Sequence, residues 1–118
     1  MKVRTQKVKM EHLGETLYGV EYQFDIKLDP SLTDVETVNR IKVEVKFTGK
    51  TKKLMNVDHM RKALQLKDAR NPAKIYEVRI PSLYRPDLSE EDQNYLLKHT
   101  DEVHVDLFVD DEKVRSLM

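Results

Sequence analysis

The chain has 118 residues, of which 36% are charged and 39% hydrophobic, and its 21 Lys and Arg residues balance 21 Asp and Glu residues. It contains no cysteine, which excludes disulfides, thiolate zinc sites and cysteine nucleophiles. The length fits one domain, so we expect a single domain over residues 1–118. No apolar run approaches the roughly twenty residues of a membrane span, and no signal-peptide core is visible. The sequence therefore predicts a soluble, cytoplasmic protein without a membrane partner.

The balanced net charge conceals an uneven distribution along the chain. Residues 1–83 carry 17 basic and 11 acidic side chains, whereas residues 84–118 carry 4 and 10. The densest basic stretch is residues 40–53, and the densest acidic stretch is residues 101–112. Such a split either marks a surface for a partner of opposite charge or means that the two regions face each other or form solvated faces. It also permits head-to-tail self-association between copies.

The predicted strands are segments in which apolar and polar residues alternate with a period of two. Residues 2–10 form either a bulged strand, since their apolar residues change phase, or an edge strand, since their lysines discourage edge-to-edge pairing. Residues 11–16 then form the loop of a hairpin. One-sided alternation in the strands that follow favours an antiparallel sheet. These further strands are predicted over residues 17–28, 39–47, 75–80 and 102–110.

Two helices and one helical turn complete the predicted elements. A single turn begins at Thr33, and a longer helix begins at Asn56 or Asp58 and ends at about Lys67. Ser89 opens a second helix, which runs to about His99, because three acidic residues follow it at the positive end of the helix dipole. The fold class is thus α+β, a mainly antiparallel sheet of about five strands with two helices, in the order β-β-(turn)-β-α-β-α-β. We expect residues 113–118 to be a flexible or docking tail.

No motif for catalysis or for metal binding is complete. Gly49 and Lys50 resemble part of a phosphate-binding loop, but the earlier glycine of that motif is missing and the segment reads as a turn out of the strand. His99, Asp101 and His104 lack a recurring ligand spacing, and no serine lies in a Gly-x-Ser-x-Gly turn. The sequence predicts no catalytic residue, metal or cofactor, and an enzyme without a recognisable motif is the third-ranked alternative.

A basic strand-loop-helix patch is the candidate polyanion site. Phosphate neutralisation needs little more than a cluster of cations. Exposed aromatics for base stacking are missing, since most aromatic residues fall on the inward phases of the strands. Nucleic-acid binding is therefore the second-ranked function. Its candidate residues are Lys46, Lys50, Lys52, Lys53, Arg61 and Lys62.

The segment of residues 81–87 has the composition of a protein interface. Two prolines restrict its backbone, and Leu83, Tyr84 and Arg85 include residue types enriched at binding hot spots. Phe108 is a further candidate, because it lies on the outward phase of the last predicted strand. The leading hypothesis is a non-catalytic interaction protein (a small accessory subunit, assembly factor or inhibitor). It binds another macromolecule, and a protein partner or a second copy is favoured over nucleic acid.

Overall fold

The computed structural model describes residues 1–57, 59–67, 70, 72–81 and 84–118. Within them the chain forms eight strands and three α-helices, with single 3-10 turns at Pro30–Leu32 and Thr100–Glu102. The elements are β1 (Lys2–His12), β2 (Glu15–Lys27), α1 (Val35–Val38), β3 (Ile41–Phe47), α2 (Gly49–Met55), β4 (His59–Ala63), β5 (Gln65–Leu66), β6 (Ile75–Pro81), α3 (Glu90–Lys98), β7 (Val103–Val109) and β8 (Glu112–Ser116).

The strands form two antiparallel sheets around one core. The first sheet has the order β1-β2-β6-β5 and the second the order β4-β3-β7-β8. The ring of Tyr22 on β2 contacts that of Phe47 on β3, with 6.0 Å between their centroids. The Tyr22 hydroxyl donates to the carbonyl of Leu96 on α3 at 3.3 Å, and burial raises the pKa of that hydroxyl. Each such buried side chain contributes about 1.5–3 kcal/mol, so the shared core holds both sheets and α3 together.

The α+β class and the antiparallel pairing are confirmed. The predicted number of about five strands and the predicted order of the elements are wrong. The long strands β2, β3 and β7 lie within two residues of their predicted limits, because each has one wholly apolar face. The additional strands β4, β5 and β8 have mostly exposed side chains, so no apolar alternation marks them. They form because β3, β6 and β7 present backbone groups that need partners.

The helix predicted between Asn56 or Asp58 and Lys67 is wrong. The helix in this region is α2, which begins at Gly49, one residue after β3, and ends at Met55 with Asn56 as its C-cap. Asn56 adopts the left-handed conformation with φ 57°, and its N–H bonds to the carbonyl of Lys52, so it closes a helix where an N-cap was predicted. The residues beyond it form β4 in the second sheet and β5 in the first, and Asp58 lies outside the described residues.

Side chains at the predicted positions cap the other helices, with one shift. Ser89 Oγ accepts the N–H of Asp92 at 3.1 Å, as expected for α3. The predicted turn at Thr33 is α1, whose capping residue is Asp34, and Asp34 Oδ1 accepts the N–H of Thr37 at 2.9 Å. No helix in the described part of the chain has the length and apolar character to cross a membrane.

Residues 113–118, for which the sequence predicts a flexible or docking tail, form part of the second sheet. Most of them belong to β8, which pairs with β7. Leu117 and Met118 then pack against the core, and their N–H groups donate to the carbonyl of Val105 at 2.7 and 3.1 Å. These hydrogen bonds hold the segment against β7 of the same chain.

Candidate interaction surface

The hairpin of β1 and β2 ends in a two-residue turn with an apolar tip. His12 pairs with Glu15, which leaves Leu13 and Gly14 as the loop, with φ of 51° and 79°. Positive φ at both loop positions is the geometry of the type I′ turn, which favours Asn or Asp followed by Gly. A leucine at positive φ is uncommon because its side chain crowds the backbone. Leu13 is nevertheless 93% exposed, so packing within the chain does not hold it there.

The end of this hairpin extends beyond the rest of the first sheet. Among the described residues, β6 pairs with β2 over Glu21–Lys27, and the bridge between Tyr18 and Arg85 is the last strand pairing beyond it. In the described part of the chain, residues 10–17 pair only with one another, and we call them the hairpin arm. Met10 lies opposite Leu17 on one face of the arm and is 42% exposed. The arm therefore carries apolar side chains on one face and at its tip.

The outer edge of β1 carries backbone hydrogen-bonding groups with which no strand in the described part of the chain pairs. Tyr18 donates its N–H to the carbonyl of Arg85 and accepts the N–H of Arg85, both at 2.9 Å. In an antiparallel ladder the N–H and C=O of one residue point to the same side. Tyr18 therefore does not bond to Lys9, its opposite residue on β1, and the N–H and C=O of Lys9 point away from β2. By the same alternation, those of Lys7 and Glu11 point to the free edge.

An open groove of about 630 Å³ lies at the base of the arm. Lys7, Lys9 and Tyr18 line it on one side, and Leu88 and Glu90 line it on the other. Lys7 Nζ lies 3.5 Å from Glu90 Oε1, so the lining includes both charges. Such a lining suits a protein surface of mixed polarity better than a small anion.

The predicted interface residues of the 81–87 segment adjoin this groove in part. Arg85 extends the first sheet through its backbone bridge to Tyr18, and its side chain reaches Asp87 at 3.9 Å. Tyr84 is half-buried, and Leu83 lies outside the described residues. The bridge joins the predicted segment to the base of the arm, and the role of these residues stays a prediction.

Phe108, the remaining interface candidate, lies on the outer face of the second sheet. The guanidinium of Arg61 lies 4.6 Å from the centroid of its ring, in a cation–π contact. Phe108 is half-buried in consequence. A side chain of the same molecule thus covers part of this ring.

The six predicted polyanion-binding residues are distributed over different parts of the surface. Lys46 Nζ lies 3.4 Å from Glu44, and Lys50 Nζ lies 3.5 Å from Asp92. Arg61 is also paired with Glu44, and Lys62, next to it on β4, points to the opposite side. Lys52 and Lys53 belong to α2 and are exposed. The structure does not join all six into one cationic face, and polyanion binding stays a prediction.

The second sheet carries two buried carboxylates on its outer face. Glu44 and Asp106 are directly opposite on β3 and β7, and both are buried. Arg61 donates to Glu44 at 2.9 Å, and Lys113 Nζ lies 3.5 Å from Asp106. The hydrogen bond from Arg61 lowers the pKa of Glu44 below its ordinary value, an effect that Lys46 reinforces. Each carboxylate therefore faces a cation, and the arrangement is an ion-pair cluster.

A second polar cluster joins α2, α3 and the 3-10 turn before β7. The Tyr95 hydroxyl donates to the carboxylate of Glu102, which raises the pKa of Tyr95 to about 12. Lys50 Nζ lies 4.7 Å from the centroid of the Tyr95 ring, and the His99 ring stacks on it at 3.8 Å. His99 Nδ1 lies 2.9 Å from the Tyr95 carbonyl and so carries the proton. These contacts fix the three segments to one another.

His99, Asp101 and His104, whose spacing in the sequence is not that of metal ligands, do not share a site in the described part of the chain. Asp101 and His104 are both exposed, whereas His99 stacks on Tyr95. Among the described side chains, no three His, Asp or Glu groups are placed to share an ion.

Part of the charge split is neutralised within the fold. Three ion pairs join the basic segment around residues 40–62 to the acidic residues after position 84. These contacts agree with one interpretation of the charge split, in which the basic and the acidic regions face each other. The pairs are Arg40 with Asp110 at 2.9 Å, Lys50 with Asp92 at 3.5 Å and Arg61 with Asp111 at 3.4 Å.

The sequence predicts a hairpin here but not the hairpin arm, although one signal for the arm is present. Residues 11–16 are expected to be a loop, but the alternation of β1 continues to His12 and Gly14 follows Leu13 at the position of the turn glycine.

Comparisons of the chain with protein-family models, with curated proteins and with solved structures gave no match.

Proposed function

We propose that the protein is a non-catalytic interaction protein that binds another protein through its hairpin arm. The observation that carries the proposal is Leu13, which is both exposed and held at positive φ at the tip of the arm. The arm presents a small apolar surface with Met10, next to a groove of mixed polarity.

The proposal is supported by what Leu13 does to the free protein. A left-handed backbone costs a non-glycine residue about 1–2 kcal/mol, and an exposed leucine contributes no burial in return. Asn would fit the same turn better and would be at ease in water. Burial of Leu13 by a partner would contribute about 1.5–3 kcal/mol, which offsets the cost of its conformation. A residue that disfavours the free fold and favours a complex is typical of a binding site.

The arm is also preorganised for binding. It is continuous with β1 and β2, and β2 is anchored in the core by Tyr22 and Phe24, both fully buried. Ordering the arm therefore costs little of the free energy of binding a partner. The bridge from Tyr18 to Arg85 places the predicted interface segment beside the arm, so the two can contribute to one surface.

The test compares two exposed apolar residues on the same chain. Leu13→Asp changes the tip of the arm, and Val35→Asp is the matched control, because Val35 is 80% exposed at the start of α1, away from the arm. Tagged full-length chains capture partners from the source cells, with and without nuclease. We expect one protein to be retained by the wild type and by Val35→Asp, and lost with Leu13→Asp. Equal retention by all three chains contradicts the proposal, and a nuclease-sensitive complex would favour nucleic-acid binding instead.

A further inference from the structure

We infer that the hairpin arm pairs with the arm of a second copy of this chain, strand β1 against strand β1, centred on Met10. The inference rests on the proposed function, because it names the occupant of the same surface. The two arms would lie antiparallel about a twofold axis, which joins the two first sheets into one.

The free edge of β1 supplies the backbone groups that this pairing needs. Lys9 and Glu11 direct their N–H and C=O groups away from β2, because Tyr18 bonds to Arg85 and the ladder alternates. Two copies related by a twofold axis would pair Lys9 of one with Glu11 of the other at both ends of a short ladder. Met10 then falls between these bonded pairs, opposite Met10 of the second copy.

Charge complementarity selects this register, because the lysines that otherwise discourage edge-to-edge pairing of β1 are not opposed to one another in it: Lys9 faces Glu11, and Lys7 faces Leu13. A twofold axis perpendicular to the sheet keeps each side chain on its own face, so one residue of β1 must lie directly opposite its own copy, with the axis midway between them. Centring on Lys7, Lys9 or Glu11 places that residue against its own copy, and centring on Val8 opposes Lys7 to Lys9. Centring on Met10 opposes Lys9 to Glu11 twice and leaves no like charges opposite each other. Of the registers centred on residues 7–11, this one alone is free of repulsion.

The same register accounts for the apolar surface of the arm. Met10 of the two copies would meet on the outer face, in a pair without backbone bonds, where side chains approach most closely. Leu13 of one copy would lie opposite Lys7 of the other, at the base of its arm, and pack on the apolar stem of that lysine. The tip and the groove at the base of the arm would therefore come together in both copies.

Single cysteines test the register without interference, because the chain has none of its own. In the proposed pairing the two Met10 Cα atoms lie about 4.5 Å apart, which is within disulfide reach. The two Val8 positions, and likewise the two His12 positions, are offset by four residues, or about 13 Å, and are out of reach. Under mild oxidation we expect Met10→Cys to form covalent dimers at least about tenfold faster than Val8→Cys or His12→Cys.

Charge reversal gives an independent test by sedimentation of the full chain over a range of concentrations. Lys9→Glu and Glu11→Lys each oppose like charges twice, so each should weaken dimerisation about tenfold or more. The double variant restores opposite charges and should recover the wild-type affinity. Lys53→Glu, on the exposed surface of α2, is the control for net charge and should leave dimerisation unchanged.

Two results would overturn the inference. One is a wild-type chain that stays monomeric at all concentrations and a Met10→Cys variant that oxidises no faster than Val8→Cys. The other is a double charge reversal that dimerises as weakly as the single variants. In either case, loss of a host partner with Leu13→Asp would leave the proposed function standing. Conversely, the wild-type chain could pass both dimer tests while Leu13→Asp retains every host partner. That result would support the pairing of two arms and contradict the proposed function.

Discussion

The guanidinium of Arg61 lies over the ring of Phe108, 4.6 Å from its centroid, while its Nε donates to Glu44 at 2.9 Å. The sequence assigned these two residues to different functions, Arg61 to a polyanion site and Phe108 to a protein interface. In the fold they contact each other on the outer face of the second sheet. A polyanion would therefore have to compete with Glu44 for Arg61, whereas the hairpin arm has no such internal partner for Leu13.

Removing Arg61 should destabilise the fold. Glu44 is buried and, among the described residues, would keep the exposed Lys46 as its one cationic partner. We expect Arg61→Ala to lower the free energy of unfolding by about 1–3 kcal/mol, the range for hydrogen bonds to charged groups. Lys53→Ala, which removes an exposed cation on α2, should change it by less than about 0.5 kcal/mol. Urea unfolding measures both, and equal effects of the two substitutions would count against an ion-pair cluster around Glu44.

The stability supplied by Glu44 should depend on pH. The hydrogen bond from Arg61 lowers the pKa of Glu44 below its ordinary 4.5, so the ionised form stabilises the fold above that pH. This contribution is lost as the pH falls through the lowered pKa, because the unfolded chain then binds the proton more readily. The difference in unfolding free energy between the wild type and Glu44→Gln should be largest near neutral pH and shrink below pH 4.5. A difference that grows as the pH falls would have the wrong sign.

Replacing Leu13 by Asn should stabilise the free protein and weaken its binding. Asn adopts positive φ more readily and, with Gly14, completes the preferred type I′ pair. We expect the free energy of unfolding to rise by about 0.5–1 kcal/mol. The same variant should lose the partner that Leu13→Asp loses, since the apolar tip is gone. A variant that is less stable than the wild type would show that Leu13 has a structural role in the turn.

Gly49 and Gly14 make a matched pair of glycines at positive φ. An added Cβ at Gly14 has nothing within 4 Å, whereas at Gly49 it meets the carboxylate of Glu102. Gly14→Ala should therefore show the backbone cost alone, about 1–2 kcal/mol. Gly49→Ala should cost more, and adding Glu102→Ala should recover part of the difference, as thermal or urea unfolding would show. Equal costs at the two glycines would mean that the Glu102 side chain moves aside freely.

The sequence was most informative where a pattern is local. The alternation of apolar and polar residues predicts β2 and β3, and Ser89 with the three acidic residues after it predicts α3. The helix expected after Asn56 failed because the apolar residues beyond it have helical spacing although the segment pairs as strands, and a left-handed Asn ends the preceding helix. Contacts such as Arg61 over Phe108 depend on the order of the strands in the sheet, which no local pattern encodes.

The hairpin arm shows the same limit at the candidate site. The first strand of the arm continues the alternation of β1. The positive φ of Leu13, in contrast, depends on the register that pairs His12 with Glu15. The free edge of β1 depends on a bridge between Tyr18 and Arg85, which are far apart in sequence. The sequence therefore predicts an interaction protein with its surface at residues 81–87 and Phe108, and no local pattern in it locates the free edge of β1.

The most direct test of the hairpin arm as the binding element is photo-cross-linking in the source cells. A benzophenone amino acid replaces Leu13 in one chain and Val35, the exposed apolar control, in another. We predict one discrete adduct from position 13, which is either twice the monomer mass or the mass of a complex with another protein, and none from position 35. No adduct from position 13, or the same adduct from both positions, would contradict the account.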